Sequence, residues 1–127
     1  MSRLRLPFVG LSALLWAASA QAAPAAGSYE ARLCVVTLAA QLPSCGAARA
    51  QLSGGRLQVK VSDIVYRLKL QPQRARGQLD VLLMQGTMQI DEFSSTYEWA
   101  ANKLLFDDAD KQTRYEVQFG KRQRDIK

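Results

Sequence analysis

Polar and apolar residues alternate along most of the chain from Tyr29 onward, in short runs separated by turn residues. Successive side chains of a strand point to opposite sides, so alternation with a period of two is typical of strands that bury one face. The same region shows no run with the three-and-four spacing of an amphipathic helix. The pattern therefore predicts an all-β protein with eight or nine short strands.

Two adjacent hairpins can be placed in register from this pattern. Gly54-Gly55 suits a two-residue turn that needs positive φ, and a parity switch at Ser62-Asp63 marks the next turn. These turns keep the apolar residues on one face by pairing Leu52 with Leu57, Ala50 with Val59, Val61 with Ile64, Val59 with Tyr66 and Leu57 with Leu68.

A third parity switch occurs at Gln85-Gly86. A two-residue turn at this point pairs Leu83 with Met88 and Val81 with Ile90, which again keeps one face apolar.

Short strands joined mostly by turns, without a crossover long enough for a helix, predict an antiparallel meander over residues 29–120. An up-and-down β-barrel is the expected architecture because closure removes the exposed edges. A two-sheet β-sandwich is the alternative. Residues 23–28 are expected to be a short linker, and the basic segment 121–127 a disordered, solvated tail.

The first 22 residues resemble a cleaved secretory signal peptide. Arg3 and Arg5 precede the apolar run "FVGLSALLWAASA", and Ala20-Gln21-Ala22 matches an A-x-A cleavage site. A retained membrane anchor is the alternative, but it needs a longer apolar run. We expect a periplasmic or secreted protein without a transmembrane span in its mature chain. Its fifteen basic and eleven acidic residues give a net charge of +4.

Cys34 and Cys45 are the only cysteines. Oxidation is permitted in an exported chain, so a structural disulfide is expected. Two free buried thiols and a redox pair are the alternatives, although ten intervening residues differ from the C-x-x-C spacing of redox motifs.

The chain has no histidine. This excludes Ser-His-Asp and Cys-His catalytic systems and histidine metal sites. The acidic segment "DDADK", residues 107–111, lacks the glycine and the distant acid of a calcium loop and is expected to be a polar hairpin turn. We therefore expect no cofactor, no metal site and no enzymatic activity.

The segment "MQIDEFSSTYEW", residues 88–99, is the remaining candidate for catalysis. In the register above, Asp91 lies outside and Glu92 lies on the apolar face. A four-residue loop at 94–97 pairs Glu92 with Trp99 and leaves Glu98 in solvent, whereas an odd-length loop makes Glu92 and Glu98 a close carboxylate pair. Burial of the tryptophan favours the four-residue loop.

Five cations are predicted to share the outward face of three neighbouring strands. Cross-strand pairing places Arg49 opposite Lys60, Arg56 opposite Lys69, and Gln58 opposite Arg67. Like charges at such close range favour an anionic partner or carboxylates from elsewhere in the chain. The alternative is an ordinary solvated sheet face. No nucleic acid is expected because the aromatic residues that stack on bases are absent from this face.

These features predict an exported, non-catalytic binding or accessory protein, with a protein or an anionic envelope component as its partner. In export, size and all-β architecture the chain resembles the small periplasmic lysozyme inhibitors, and this architectural resemblance implies an inhibitor of an envelope hydrolase as an alternative. Two further alternatives are a small hydrolase that uses Glu92 and Glu98, and a structural subunit held by an exposed sheet edge. The oligomeric state is not predicted.

Overall fold

The computed structural model describes residues 23–37, 39, 42–71 and 77–123. Residues 1–22, which carry the predicted signal peptide, and residues 124–127 lie outside the described part. The eight strands of the described region are β1 (Gly27–Thr37), β2 (Ser44–Ser53), β3 (Arg56–Val61), β4 (Ile64–Gln71), β5 (Gly77–Gln85), β6 (Met88–Ala100), β7 (Lys103–Asp108) and β8 (Thr113–Gln123).

The eight strands form one closed barrel in chain order. Each strand is antiparallel to the next, and β8 pairs back with β1 through contacts such as Leu33 with Val117. The predicted up-and-down β-barrel is confirmed, and the sandwich alternative is wrong. Closure leaves no unpaired edge among these strands, so the structural-subunit alternative loses the feature on which it depended.

The barrel has two distinct ends. At the proximal end β1 begins and β8 finishes, and the turns Gly54-Gly55 and Ala101-Asn102 lie there. At the distal end lie the turns Ser62-Asp63, Gly86-Thr87 and 109–112. The last of these contains residues 109–111 of the polar hairpin turn expected from "DDADK", whereas Asp107 and Asp108 end β7.

Inward-facing side chains fill the middle of the barrel, as expected for eight strands. Those with the least exposure are Leu57, Val59, Leu79, Val81, Leu104 and Val117. Phe106 stacks on Tyr115 with ring centroids 5.0 Å apart, and Phe93 stacks on Tyr115 at 5.7 Å. Full burial of each large apolar side chain contributes about 1.5–3 kcal/mol, so this column of side chains is the main source of stability.

The register of β2, β3 and β4 is confirmed. Leu52 pairs with Leu57 and Ala50 with Val59 across the first turn. Val61 pairs with Ile64, and the other predicted partners follow across the second turn. Gly54 and Gly55 have φ values of 54° and 90°, the left-handed region that glycine enters without steric cost.

The predicted register of β5 and β6 is wrong. The turn consists of Gly86 and Thr87, and Gln85 rather than Leu83 pairs with Met88. A bulge follows, because Met84 pairs with Gln89 while Leu83 pairs with Asp91, and this leaves Ile90 as an extra residue. The bulge reverses the faces of the rest of β6. Phe93 consequently lies opposite Val81 inside the barrel.

Strand β6 continues through the segment in which a loop was predicted. Residues 94–97 are extended, and the turn comes at Ala101-Asn102 instead. Trp99 pairs with Leu104 and packs on the core, so the expectation that Trp99 is internal and Glu98 exposed holds. The predicted pairing of Glu92 with Trp99 is wrong because both residues belong to one strand.

Cys34 and Cys45 form a disulfide, as expected. They are direct cross-strand partners in β1 and β2, with Cα atoms 4.0 Å apart. The sheet also extends beyond residues 29–120, since β1 begins at Gly27 and β8 continues to Gln123. Residues 121–123 of the segment expected to be a disordered tail are therefore part of the barrel wall.

Candidate binding surface

Strand pairing sorts the outward side chains of β2 to β6 into three rows that cross the barrel wall. Each row contains one residue per strand, and neighbours within a row are direct cross-strand partners. From the proximal to the distal end, the rows are Ser53, Arg56, Lys69, Asp80 and Ser94; Gln51, Gln58, Arg67, Leu82 and Glu92; and Arg49, Lys60, Val65, Met84 and Gln89.

We call the five cations of these rows the basic face: Arg49, Arg56, Lys60, Arg67 and Lys69. All five are exposed, and the structure places them on three adjacent strands in the predicted register. Within the part of the chain that the structure describes, none of them forms an ion pair; the ion pairs there belong to Lys103, Lys111 and Arg114. Their charge is consequently available to a partner.

Two carboxylates border the basic face on β5 and β6. Asp80 lies directly opposite Lys69 and accepts a 2.7 Å hydrogen bond from the Ser94 hydroxyl. Glu92 is exposed next to Leu82 and accepts a 3.3 Å hydrogen bond from Gln89. The wall is therefore positive on β2 to β4 and negative on β5 and β6.

A depression of about 590 Å³ spans the boundary between these two charged regions. Arg56, Arg67 and Lys69 line its positive side, and Asp80 and Glu92 line its negative side. Its volume falls within the range of ligand-sized sites, but it lies on the outer wall and is lined by charged side chains. Such a surface is suited to contact a folded partner.

The carboxylate pair required for the hydrolase alternative does not form. Glu92 and Glu98 are both exposed and lie six positions apart on β6, about 20 Å along an extended strand. Glu92 lines the depression described above, whereas Glu98 lines a different one on β6 to β8. The prediction that Glu92 lies on the apolar face is wrong because the bulge at Ile90 turns it outward.

Asp91 replaces Glu92 as the inward-facing carboxylate of β6, and sequence reasoning missed its environment. Asp91 forms an ion pair with Lys111 of the distal turn, and Lys111 is also 3.8 Å from Asp108. Asp108 accepts a 3.4 Å hydrogen bond from the Lys111 backbone N–H. The hydrogen bond from Lys111 lowers the pKa of Asp91, and the same contact raises the pKa of Lys111. These ion pairs and this hydrogen bond link the 109–112 turn to β6.

Tyr66 and Tyr115 lie on the inward face near these ion pairs. Their rings make an edge contact with centroids 6.0 Å apart. Burial raises the pKa of Tyr66, and burial together with the charges of Tyr66, Asp108 and Asp91 raises the pKa of Tyr115 to about 12. Both phenols are therefore neutral at physiological pH, and their rings pack in or against the hydrophobic core. The alternating pattern indicated two inward tyrosines but gave no sign of the carboxylates beside them.

The described residues contain no group of three or more histidine, cysteine, aspartate or glutamate side chains placed to hold a metal ion. Over the same residues, no helix has the length and apolar character needed to cross a membrane. Comparison with protein families, with curated proteins and with solved structures finds no match to this chain.

Proposed function

We propose that this chain is an exported, non-catalytic binding protein whose basic face contacts an acidic surface of a partner protein. One observation carries the proposal: five exposed cations share three adjacent strands, and none forms an ion pair with a described residue. Like charges opposite each other in a sheet are unfavourable, so an anionic partner relieves a repulsion that the free protein retains. The disulfide is compatible with an oxidising, extracytoplasmic compartment.

The bordering carboxylates favour a protein over a uniformly anionic partner. Asp80 and Glu92 line the same depression as Arg56, Arg67 and Lys69. A lipid surface or a polyanion would place negative charge against both carboxylates. A protein can present acidic groups to the cations and basic groups to the carboxylates, and this alternation also sets the orientation of the complex.

The dimensions of the surface indicate a modest affinity. Five strands spaced about 4.8 Å apart span about 19 Å from the first to the last, and two steps of two residues along a strand add about 13 Å. This area is smaller than that of standard specific interfaces and is suited to a weak or transient contact. Because exposed charges dominate it, we expect fast association that slows markedly when the salt concentration rises.

A capture experiment with matched charge reversals tests the proposal. The chain from Ala23 to Lys127 is immobilised in its oxidised form and exposed to the exported proteins of the organism that encodes it. One variant carries Arg56→Glu, Lys60→Glu and Arg67→Glu. The control carries Arg32→Glu, Arg114→Glu and Lys121→Glu, which are exposed positions on β1 and β8 with the same total change of charge.

The proposal predicts a partner that the native chain and the control variant retain and that the basic-face variant loses. Retention should also weaken between about 0.05 M and 0.5 M salt, because the Debye length shortens over that range. Equal retention by both variants contradicts the proposal. Loss from both variants indicates attraction by net charge alone, and that result also contradicts a specific basic face.

Inhibition of an envelope hydrolase, such as a lysozyme, is a second candidate function. The observation that favours it is the exposure of Leu42, Met88 and Ile90, which are 76%, 64% and 44% exposed and lie in or beside distal turns. Exposed apolar side chains at the end of a barrel are suited to enter an enzyme cleft. We expect Met88→Ser with Ile90→Ser to abolish any inhibition of purified lysozyme, whereas the basic-face variant retains it.

A further inference from the structure

The proximal end of the barrel contains a hollow of about 410 Å³ that is separate from the basic face. Its side walls are Leu52, Leu70, Tyr97 and Trp99, the inward residues nearest the proximal end of β2, β4 and β6. The Gly54-Gly55 turn and the segment Ala23, Pro24 and Ala26 complete the lining. None of these residues is charged, so the hollow is an apolar site in the mouth of a barrel.

Within the described residues, the two aromatic rings at this end do not cover the hollow, because they pack against different walls. The Tyr97 ring lies over Gly77 of β5, where a Cβ atom would overlap it. Trp99 packs instead on Phe119 of β8, with ring centroids 5.6 Å apart. The space between the rings is therefore filled by neither, whereas the middle of the barrel beneath is packed.

The N-terminal segment forms one wall of the hollow and is held by two hydrogen bonds. The Tyr29 hydroxyl donates to the Ala25 carbonyl at 2.5 Å, and the Arg122 guanidinium donates to the Ala26 carbonyl at 2.9 Å. These two hydrogen bonds hold the N-terminal segment against the barrel at the rim of the hollow. The segment is therefore a wall of the hollow in the folded protein.

Among the residues that the structure describes, the Tyr97 hydroxyl has no hydrogen-bond partner. Tyr97 is only 8% exposed, and its hydroxyl makes no hydrogen bond with any described residue. Buried phenol groups normally have a hydrogen-bond partner. Burial also raises the pKa of Tyr97, so the hydroxyl keeps its proton and is able to donate it in a hydrogen bond.

We propose that the hollow binds a small, neutral, apolar molecule that carries one hydrogen-bond acceptor. At about 30 Å³ for each water-sized group, its volume accommodates about a dozen non-hydrogen atoms. The apolar lining takes the body of the ligand, and the Tyr97 hydroxyl donates to the acceptor. The absence of charge from the lining selects against ionised ligands.

Trp99 makes the site directly observable. The chain has two tryptophans, Trp16 and Trp99, and only Trp99 follows residue 22. A chain from Ala23 to Lys127 retains all eight strands and the core of the described region, so we expect it to fold without the first 22 residues. Its tryptophan emission therefore reports on the hollow alone.

The test is a titration of this chain with a methyl ketone of about ten carbons and, separately, with the alkane of equal length. We expect saturable binding of the ketone with a blue shift of Trp99 emission, confirmed by calorimetry. The alkane should bind about threefold to tenfold more weakly, which is the effect of one net hydrogen bond. A response that does not saturate in both measurements overturns the proposal.

Three variants locate the site. Tyr97→Phe should remove the preference for the ketone while the alkane binds as before, and it conserves the shape of the side chain. Leu52→Phe should fill the hollow and weaken both ligands at least about tenfold. Ile90→Phe, an exposed apolar change at the distal end, is the matched control and should change neither affinity.

Each outcome of these variants decides the proposal. A ketone preference that survives Tyr97→Phe overturns the role of the hydroxyl, and ketone binding that survives Leu52→Phe in a folded protein overturns the site. If Leu52→Phe fails to fold, as judged by circular dichroism, the comparison of Tyr97→Phe with the native chain still decides the question.

Discussion

Removal of the Cys34–Cys45 disulfide should cost a stability that can be worked out from its position. The two cysteines are separated by 11 positions and are direct cross-strand partners at the start of the β1–β2 hairpin. In the chain-entropy account, closing a loop of this length lowers the entropy of the unfolded chain by about 9 cal/mol/K. That corresponds to about 2.8 kcal/mol at 25 °C, a large fraction of the stability of a single domain.

The assay is urea unfolding of three samples: the oxidised chain, the same chain with a reductant, and the double variant Cys34→Ala with Cys45→Ala. Both samples without the bridge should unfold about 2.8 kcal/mol more easily than the oxidised chain. Because the unfolded chain becomes less compact, the dependence of the unfolding free energy on urea should also steepen slightly. The reduced native chain controls for the loss of packing around Cys34, which is 6% exposed.

Two results would refute this reasoning. A loss below about 1 kcal/mol in both samples would mean that the hairpin stays together in the unfolded chain, so that the bridge adds no constraint. A large loss in the variant together with a small loss on reduction would assign the effect to packing. The expected result implies that folding in a reducing compartment leaves a much weaker barrel, which agrees with the proposed export.

Three further predictions concern individual residues. The pKa of Tyr115 is raised from 10.0 to about 12, so the free energy of unfolding should fall as the pH rises from 10 to 12. Tyr115→Phe lacks this ionisation and should avoid about 2 kcal/mol of that fall near pH 11.5. Equal urea midpoints of the native chain and the variant at that pH would contradict the prediction. Gly77→Ala should destabilise by about 1–3 kcal/mol because a Cβ overlaps Tyr97, whereas Gly46→Ala, which meets nothing within 4 Å, should not lower the melting temperature. The hydrogen bond from Lys111 lowers the pKa of Asp91 from 3.8, so the ion pair stabilises the fold above that pH and its contribution is lost in acid. Asp91→Asn should therefore flatten the decline of the unfolding free energy below pH 3.8. An acid profile that the variant leaves unchanged would show that the pair contributes nothing.

The basic face shows where sequence reasoning succeeds, and the wrongly predicted faces of Asp91 and Glu92 show where it fails. The cations on β2 to β4 follow from two tight turns whose positions are marked by Gly54-Gly55 and Ser62-Asp63. Once a turn is located, period-two alternation places every side chain of the hairpin. At the β5–β6 turn, Gly86 can occupy either central position of the turn. The sequence pattern predicts a turn at Gln85-Gly86, whereas the structure has Gly86-Thr87.

Four features follow from the sequence alone: the all-β class, the strand alternation, the hairpin register of β2 to β4, and the closeness of Cys34 and Cys45 along the chain. Each depends on residues close together along the chain, where turn geometry and side-chain period act directly. Three other features become visible only in the folded chain: the pairing of β8 with β1, the bulge at Ile90 and the hollow at the proximal end. The bulge has no local signal, because its extra residue is accommodated by the inward packing of Phe93, Tyr97 and Trp99 against distant strands. A face assigned by alternation alone is therefore correct only as far as the next bulge.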